Sequence, residues 1–225
     1  MKKKFTIIKQ AVLLGLASSL LVSATVSGKE HKHKKVRKAT AATAESTLFT
    51  IKDGRLLRPT GYREWVYVGT PLTPNDMNNG KASFPEFHSV YIDPVSWKTW
   101  KETGKFRENT IIIKEMTSVG SKSAASGKGY FMGEFAGLEA SIKSAKYFPN
   151  EPGNWAYFSF STENHKTLKK EMAAAPAESC NSCHMAAAAD DWVFTQYYPV
   201  LRAAKAKGNE GAGGKLDKLE PEPYK

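Results

Sequence analysis

The sequence predicts an α+β fold, a mostly antiparallel β-sheet with peripheral helices. Two observations carry this reading. About five segments rich in aromatic and β-branched residues follow one another at short spacing through the middle of the chain. Helix-forming composition gathers between and after them, which suits a sheet flanked by helices rather than a bundle.

Taken in order, the chain opens with a leader built like a secretory signal. Lys2, Lys3, Lys4 and Lys9 make a positive end, and Ala11 to Val22 is apolar but too short to span a bilayer. Val22-Ser23-Ala24 offers small residues for cleavage, so residues 1–24 are expected to be removed on export and the mature protein to be periplasmic. Residues 25–46 are rich in Lys, Ala, Thr and Ser without aromatics, and read as a basic flexible linker. Residues 47–206 carry the domain, and 207–225, rich in Gly, Glu, Lys and Pro, read as a disordered tail.

Within the domain, strands are expected at Glu64–Gly69, His88–Ile92, Thr110–Met116, Gly129–Leu138 and Asn154–Phe160. Asp93-Pro94 reads as an N-cap followed by Pro at the first helical position, and Gly104 closes that helix. Trp97 and Trp100, three apart, should share its buried face. Further helices are expected at Lys166–Ala175, Cys180–Met185 and Asp191–Ala204, with Pro199 kinking the last or starting a new turn.

The net charge is +11, but residues 1–38 hold ten basic side chains and one acidic, Glu30. The other 187 residues hold 23 basic and 21 acidic side chains, a net of +2. The domain is nearly neutral, so nucleic acid is not an expected partner.

The two cysteines carry the chemistry. A disulfide across two intervening residues closes a very small loop and contributes little. Instead Cys180-Asn181-Ser182-Cys183-His184 is CxxCH, the attachment motif for haem c. Two intervening residues make about one helical turn, which brings both sulfurs to one edge of the ring for thioether bonds to the vinyl groups. His184 can then ligate the iron, with its other ring nitrogen donating to a carbonyl or carboxylate.

His184 is the last histidine and Met185 the last methionine. A sixth ligand would have to come from upstream, from His88, His165, Met77, Met116, Met132 or Met172, none with a signature of ligation. The simplest reading is a five-coordinate iron with an open distal side, which means small-molecule chemistry or binding.

Alternation in Thr110–Met116 separates Lys114 from Glu115, and both faces look apolar. Either one of the two points into a semi-buried space or both sit in solvent at a fraying strand end, and a buried Lys114 would become available as a nucleophilic amine. Farther on, Phe131, Gly133, Phe135, Gly137 and Glu139 would share a face while the strand lasts. Glu139 is then either a proton acceptor beside the haem pocket or a first-turn carboxylate of a helix starting at Ala140.

The chain resembles the cytochrome P-460 family from about Leu48 to Lys205. The matching stretches include Tyr62-Arg63-Glu64-Trp65-Val66, Val90-Tyr91-Ile92-Asp93-Pro94, Lys114-Glu115, Gly129-Tyr130-Phe131-Met132-Gly133 and Gly137-Leu138-Glu139-Ala140. They continue with Glu151-Pro152-Gly153-Asn154-Trp155-Ala156, the CxxCH and Tyr198-Pro199-Val200-Leu201-Arg202. The resemblance implies a mostly β homodimer with one haem c, hydroxylamine as substrate, nitrous oxide as a product, and a soluble electron acceptor such as another cytochrome. It also implies that Lys114 bonds covalently to a porphyrin meso carbon and that Glu139 takes protons from the substrate.

The related cytochromes c′-beta lack the cross-link, cap the iron with aromatic residues and bind nitric oxide or carbon monoxide. Phe84, Phe87, Phe131 and Phe135 are the candidates for such a cap, so nitric oxide binding stands as the alternative. The basic segment between leader and domain departs from the family pattern.

Overall fold

The structure, a computed structural model, describes residues 47–162 and 167–205. The leader, the basic linker, the 207–225 tail and His165 lie outside the described residues.

A five-stranded antiparallel sheet forms the frame. Its strands are β3 (Val66–Gly69), β4 (Phe87–Ile92), β5 (Thr110–Ala124), β6 (Gly127–Lys143) and β7 (Trp155–Ser159), side by side in that order. A small sheet joins β1 (Ile51–Lys52), β2 (Arg55–Leu57) and β8 (Glu171–Met172). The helices are α1 (Pro94–Thr103), α2 (Ala177–Ala187) and α3 (Pro199–Ala204).

Alternation along the strands sorts the core into two halves. Ile111, Ile113, Leu138, Ala140, Ile142 and Phe158 face one side, where Leu56 of the small sheet joins them. Val90, Ile92, Ile112, Trp155 and Tyr157 face the other, packed with Trp100 of α1, Cys180 of α2 and Leu201 of α3. The helices thus cover the second face, and the buried Trp100 indole donates to the Leu201 carbonyl at 2.8 Å.

The first helix matches its sequence signals. The Asp93 carboxylate accepts from the Val95 and Ser96 amides, Pro94 is the first helical residue, and Gly104 closes the last turn in the left-handed region at φ 66°. Trp100 is fully buried and Trp97 partly so.

Four expectations need correction. Glu64–Gly69 is not all strand: Tyr62–Glu64 forms a 3-10 turn, and extended pairing starts at Val66. The strands at 110 and 129 run on into one long hairpin from Thr110 to Lys143, which settles Glu139 as a strand residue. Residues 167–175 are not helical. Leu168 bridges to Ser161, and Glu171–Met172 pairs with Leu56–Leu57, so pairing under the core overrides helical composition. Asp191–Ala204 is broken, because Asp191 and Trp192 take positive φ, Thr195–Tyr197 is 3-10, and Pro199 begins α3.

Candidate functional site

α2 carries Cys180, Cys183 and His184, as the motif predicts. The two cysteines form no disulfide, Cys180 being half-buried against the helix-covered core and Cys183 exposed. The helix is fixed by a residue between the cysteines. Buried Asn181 donates to the Glu151 carboxylate at 3.2 Å and to the Trp155 carbonyl at 3.1 Å. A motif that specifies Cys, Cys and His is silent on this residue.

His184 is held from several sides. Its Nδ1 lies 2.7 Å from the Trp192 carbonyl, which places the ring proton there and leaves Nε2 to act as a ligand. The Tyr157 and Phe194 rings flank it at centroid distances of 4.4 and 4.6 Å. Burial pushes the imidazole pKa down, with the Lys114 charge adding to it; the Trp192 hydrogen bond and the Glu139 charge oppose.

The Trp192 carbonyl is itself positioned. Asp191, one residue before it, pairs with Lys143 at 2.5 Å and accepts from the Trp155 indole at 3.3 Å. Gly153, at φ 61°, lies so close under the Trp192 ring that a Cβ there would come within 2.6 Å of it. Asp190 pairs with Lys205 of the segment after α3 at 2.6 Å.

Lys114 and Glu139 are directly opposed on β5 and β6, on the face that the helices cover, and their charged ends are 2.6 Å apart. The Lys114 ammonium also sits over the Phe84 ring at 4.7 Å. Glu115 faces the other way, where it is buried. It accepts from the Tyr62 hydroxyl and pairs with Arg63 at 2.5 Å. Both residues of the Lys114-Glu115 dipeptide are thus charged groups with partners, each on its own side of the sheet. Burial, and then the hydrogen bond to Glu115, push the Tyr62 pKa strongly up.

The aromatic candidates separate. Two register shifts interrupt the β5–β6 ladder, and Ala136 is the extra residue of the first, between the Met116–Gly137 and Thr117–Phe135 rungs. This bulge turns Phe135 away from Glu139 and into a cleft with Tyr62, Arg63 and Leu138 on the opposite face. Phe87, across from Thr117, also lies on that opposite face. Phe131 returns to the Lys114 face, but across from Gly120, about 20 Å along the arm at the usual rise per residue. Of the four, Phe84 is the ring beside Lys114.

Among the upstream donors, Met77 and Met132 are exposed, and Met172 packs against the core on the far side. His88 and Met116 lie on the Lys114 face.

An oriented imidazole, one cysteine a helical turn before it, a second directly before it, and a flanking apolar and aromatic wall fit the donor set of a haem-binding protein. A family model, Cytochrome P460, matches residues 59–195, more than half of the chain. The chain belongs to the cytochrome P460 family. No curated protein sequence matches it.

Proposed function

We propose that this protein is a periplasmic, homodimeric c-type haem enzyme that oxidises hydroxylamine to nitrous oxide or nitric oxide-level products. Its electrons pass to a soluble acceptor, another cytochrome. The reading is supported above all by the Lys114–Glu139 pair, which lies on the helix-covered face and acts electrostatically on His184.

Cys180 and Cys183 would hold the ring through thioethers, and His184 Nε2 would ligate the iron, leaving its other side open. When bound, the haem supplies an open coordination position for the substrate nitrogen and an outlet for its electrons. The Trp192 carbonyl keeps the His184 ring in one tautomer and raises its basicity. Tyr157 and Phe194 keep water from that ring. Lys114 is the side chain assigned to a covalent bond with a porphyrin meso carbon. Glu139, held on the next strand, takes protons from the substrate.

Phe84 beside Lys114 supports a second reading, a c′-beta-like nitric oxide-binding protein without the cross-link. The experiment that separates the two is a tryptic digest of holoprotein followed by mass spectrometry. The Lys114 peptide should travel with the haem and the Cys180–Cys183 peptide, and the holoprotein should make nitrous oxide from hydroxylamine and an added oxidant. A freely released Lys114 peptide together with no turnover selects the second reading.

A further inference from the structure

One polar side chain on the Lys114 face has no role so far. His88 pairs across β4 and β5 with Met116, and Val90 with Lys114, so alternation puts His88 on the face of Lys114, Met116, Gly137 and Glu139. It is the diagonal neighbour of Lys114, a relation that spaces residues by about 7–8 Å in an antiparallel pair. The Phe84 ring that carries the Lys114 ammonium meets the His88 imidazole edge-on at 6.0 Å. His88 Nε2 is buried and has no hydrogen-bond partner. Proteins rarely leave such an atom unpaired unless something else binds there.

We propose that His88 hydrogen-bonds the small ligand on the distal side of the haem iron, from the strand opposite the one that carries Glu139. The inference rests on the haem lying against this sheet face, as proposed above. β5 with Lys114 runs between β4 with the imidazole and β6 with the carboxylate. A small molecule beside Lys114 therefore meets a ring nitrogen from one side and an acid from the other. Burial, and then the charge that Lys114 carries while it is not bonded to the ring, hold the His88 pKa down to about 4. The ring is neutral at pH 7, with one N–H donor and one acceptor. Glu139 supplies charge; His88 supplies direction.

The test is cyanide dissociation from the ferric holoprotein, followed by absorbance in wild type, His88→Gln and His88→Ala. Cyanide is chosen because its terminal nitrogen accepts a hydrogen bond and no turnover is needed. Loss of one such bond should speed dissociation about tenfold in His88→Ala, and His88→Gln should recover part of the difference. Equal rates in the three proteins overturn the proposal. So does a low-spin six-coordinate wild type that becomes high-spin in His88→Ala, because His88 is then an iron ligand. Failure of both variants to take up haem makes His88 structural and overturns it as well. A wild type that binds cyanide, shows the His88 effect and never oxidises hydroxylamine leaves this inference standing and removes the enzymatic one.

Discussion

Lys114 and Glu139 face each other on one rung of the β5–β6 ladder, Nζ to Oε2 2.6 Å, with about a quarter of each side chain exposed at 25% and 28%. The two residues assigned the most demanding chemistry are thus each other's partners. Changing one alters the setting of the other, and variants at the two positions are not expected to be additive.

Glu139→Gln keeps the shape of the side chain and removes the proton acceptor. Hydroxylamine oxidation should fall by about 10²–10⁴-fold, the usual range for a general base, while haem attachment is retained. Steady-state reduction of an electron acceptor measures the rate, and an unchanged rate removes Glu139 from the mechanism.

Lys114→Ala removes the only atom that can make the proposed bond to the ring. The purified variant should show an ordinary c-type absorption spectrum, different from that of the wild type. Identical spectra would mean that no lysine bond forms in the native protein.

Gly153 lies under Trp192, whose carbonyl fixes His184. Gly153→Ala places a methyl group against that ring at a residue with positive φ, and should lower stability by about 1–3 kcal/mol. Because the disturbance reaches His184 through Trp192, the iron reduction potential should shift too. Denaturant unfolding and a potentiometric titration read the two effects, and loss of stability with an unmoved potential would disconnect Trp192 from the iron.

Tyr62→Phe leaves the buried Glu115 carboxylate with Arg63 alone. The loss should be about 1–2 kcal/mol, seen as a lower denaturation midpoint at constant slope. Hydroxylamine turnover should change little, since Glu115 faces away from Lys114. A large drop in turnover at unchanged stability would link the two faces of β5.

The pH dependence of stability follows from His88. Its folded pKa of about 4 lies below the ordinary 6.5, so between these values the unfolded chain binds a proton that the folded chain refuses. Stability contributed by the neutral ring is complete above pH 6.5 and is lost as pH falls toward 4. Discounted for the ring's partial exposure, the loss is about 1–2 kcal/mol. Urea unfolding of wild type and His88→Gln at pH 7 and pH 4.5 should show the wild type losing more, and parallel losses would count against a neutral His88.

Much of this was legible in the sequence where a local signal fixes local structure. Asp93-Pro94 and Gly104 bound α1, and the CxxCH segment is helical, with the predicted second partner of His184 supplied by the Trp192 carbonyl. Residues 167–175 were not legible, because their state is set by pairing with Leu56–Leu57, more than a hundred positions earlier. Periodicity also misplaced Phe135, since a bulge has no reliable signature in composition. His88 gave no signal alone; its interest comes from β4 lying beside Lys114. Asn181 and Gly153 matter through contacts with Trp155 and Trp192, which spacing does not encode.

The bulge at Ala136 makes the neighbourhood of Lys114 depend on a single residue of strand length. Because Ala136 is taken up without a partner, Phe135, four positions before Glu139, faces the Tyr62 cleft instead of the side of the sheet that Glu139 occupies. A ladder that paired every residue of the same strand would set the benzyl group on the Lys114 side, so one unpaired position leaves that surface lined by Gly137.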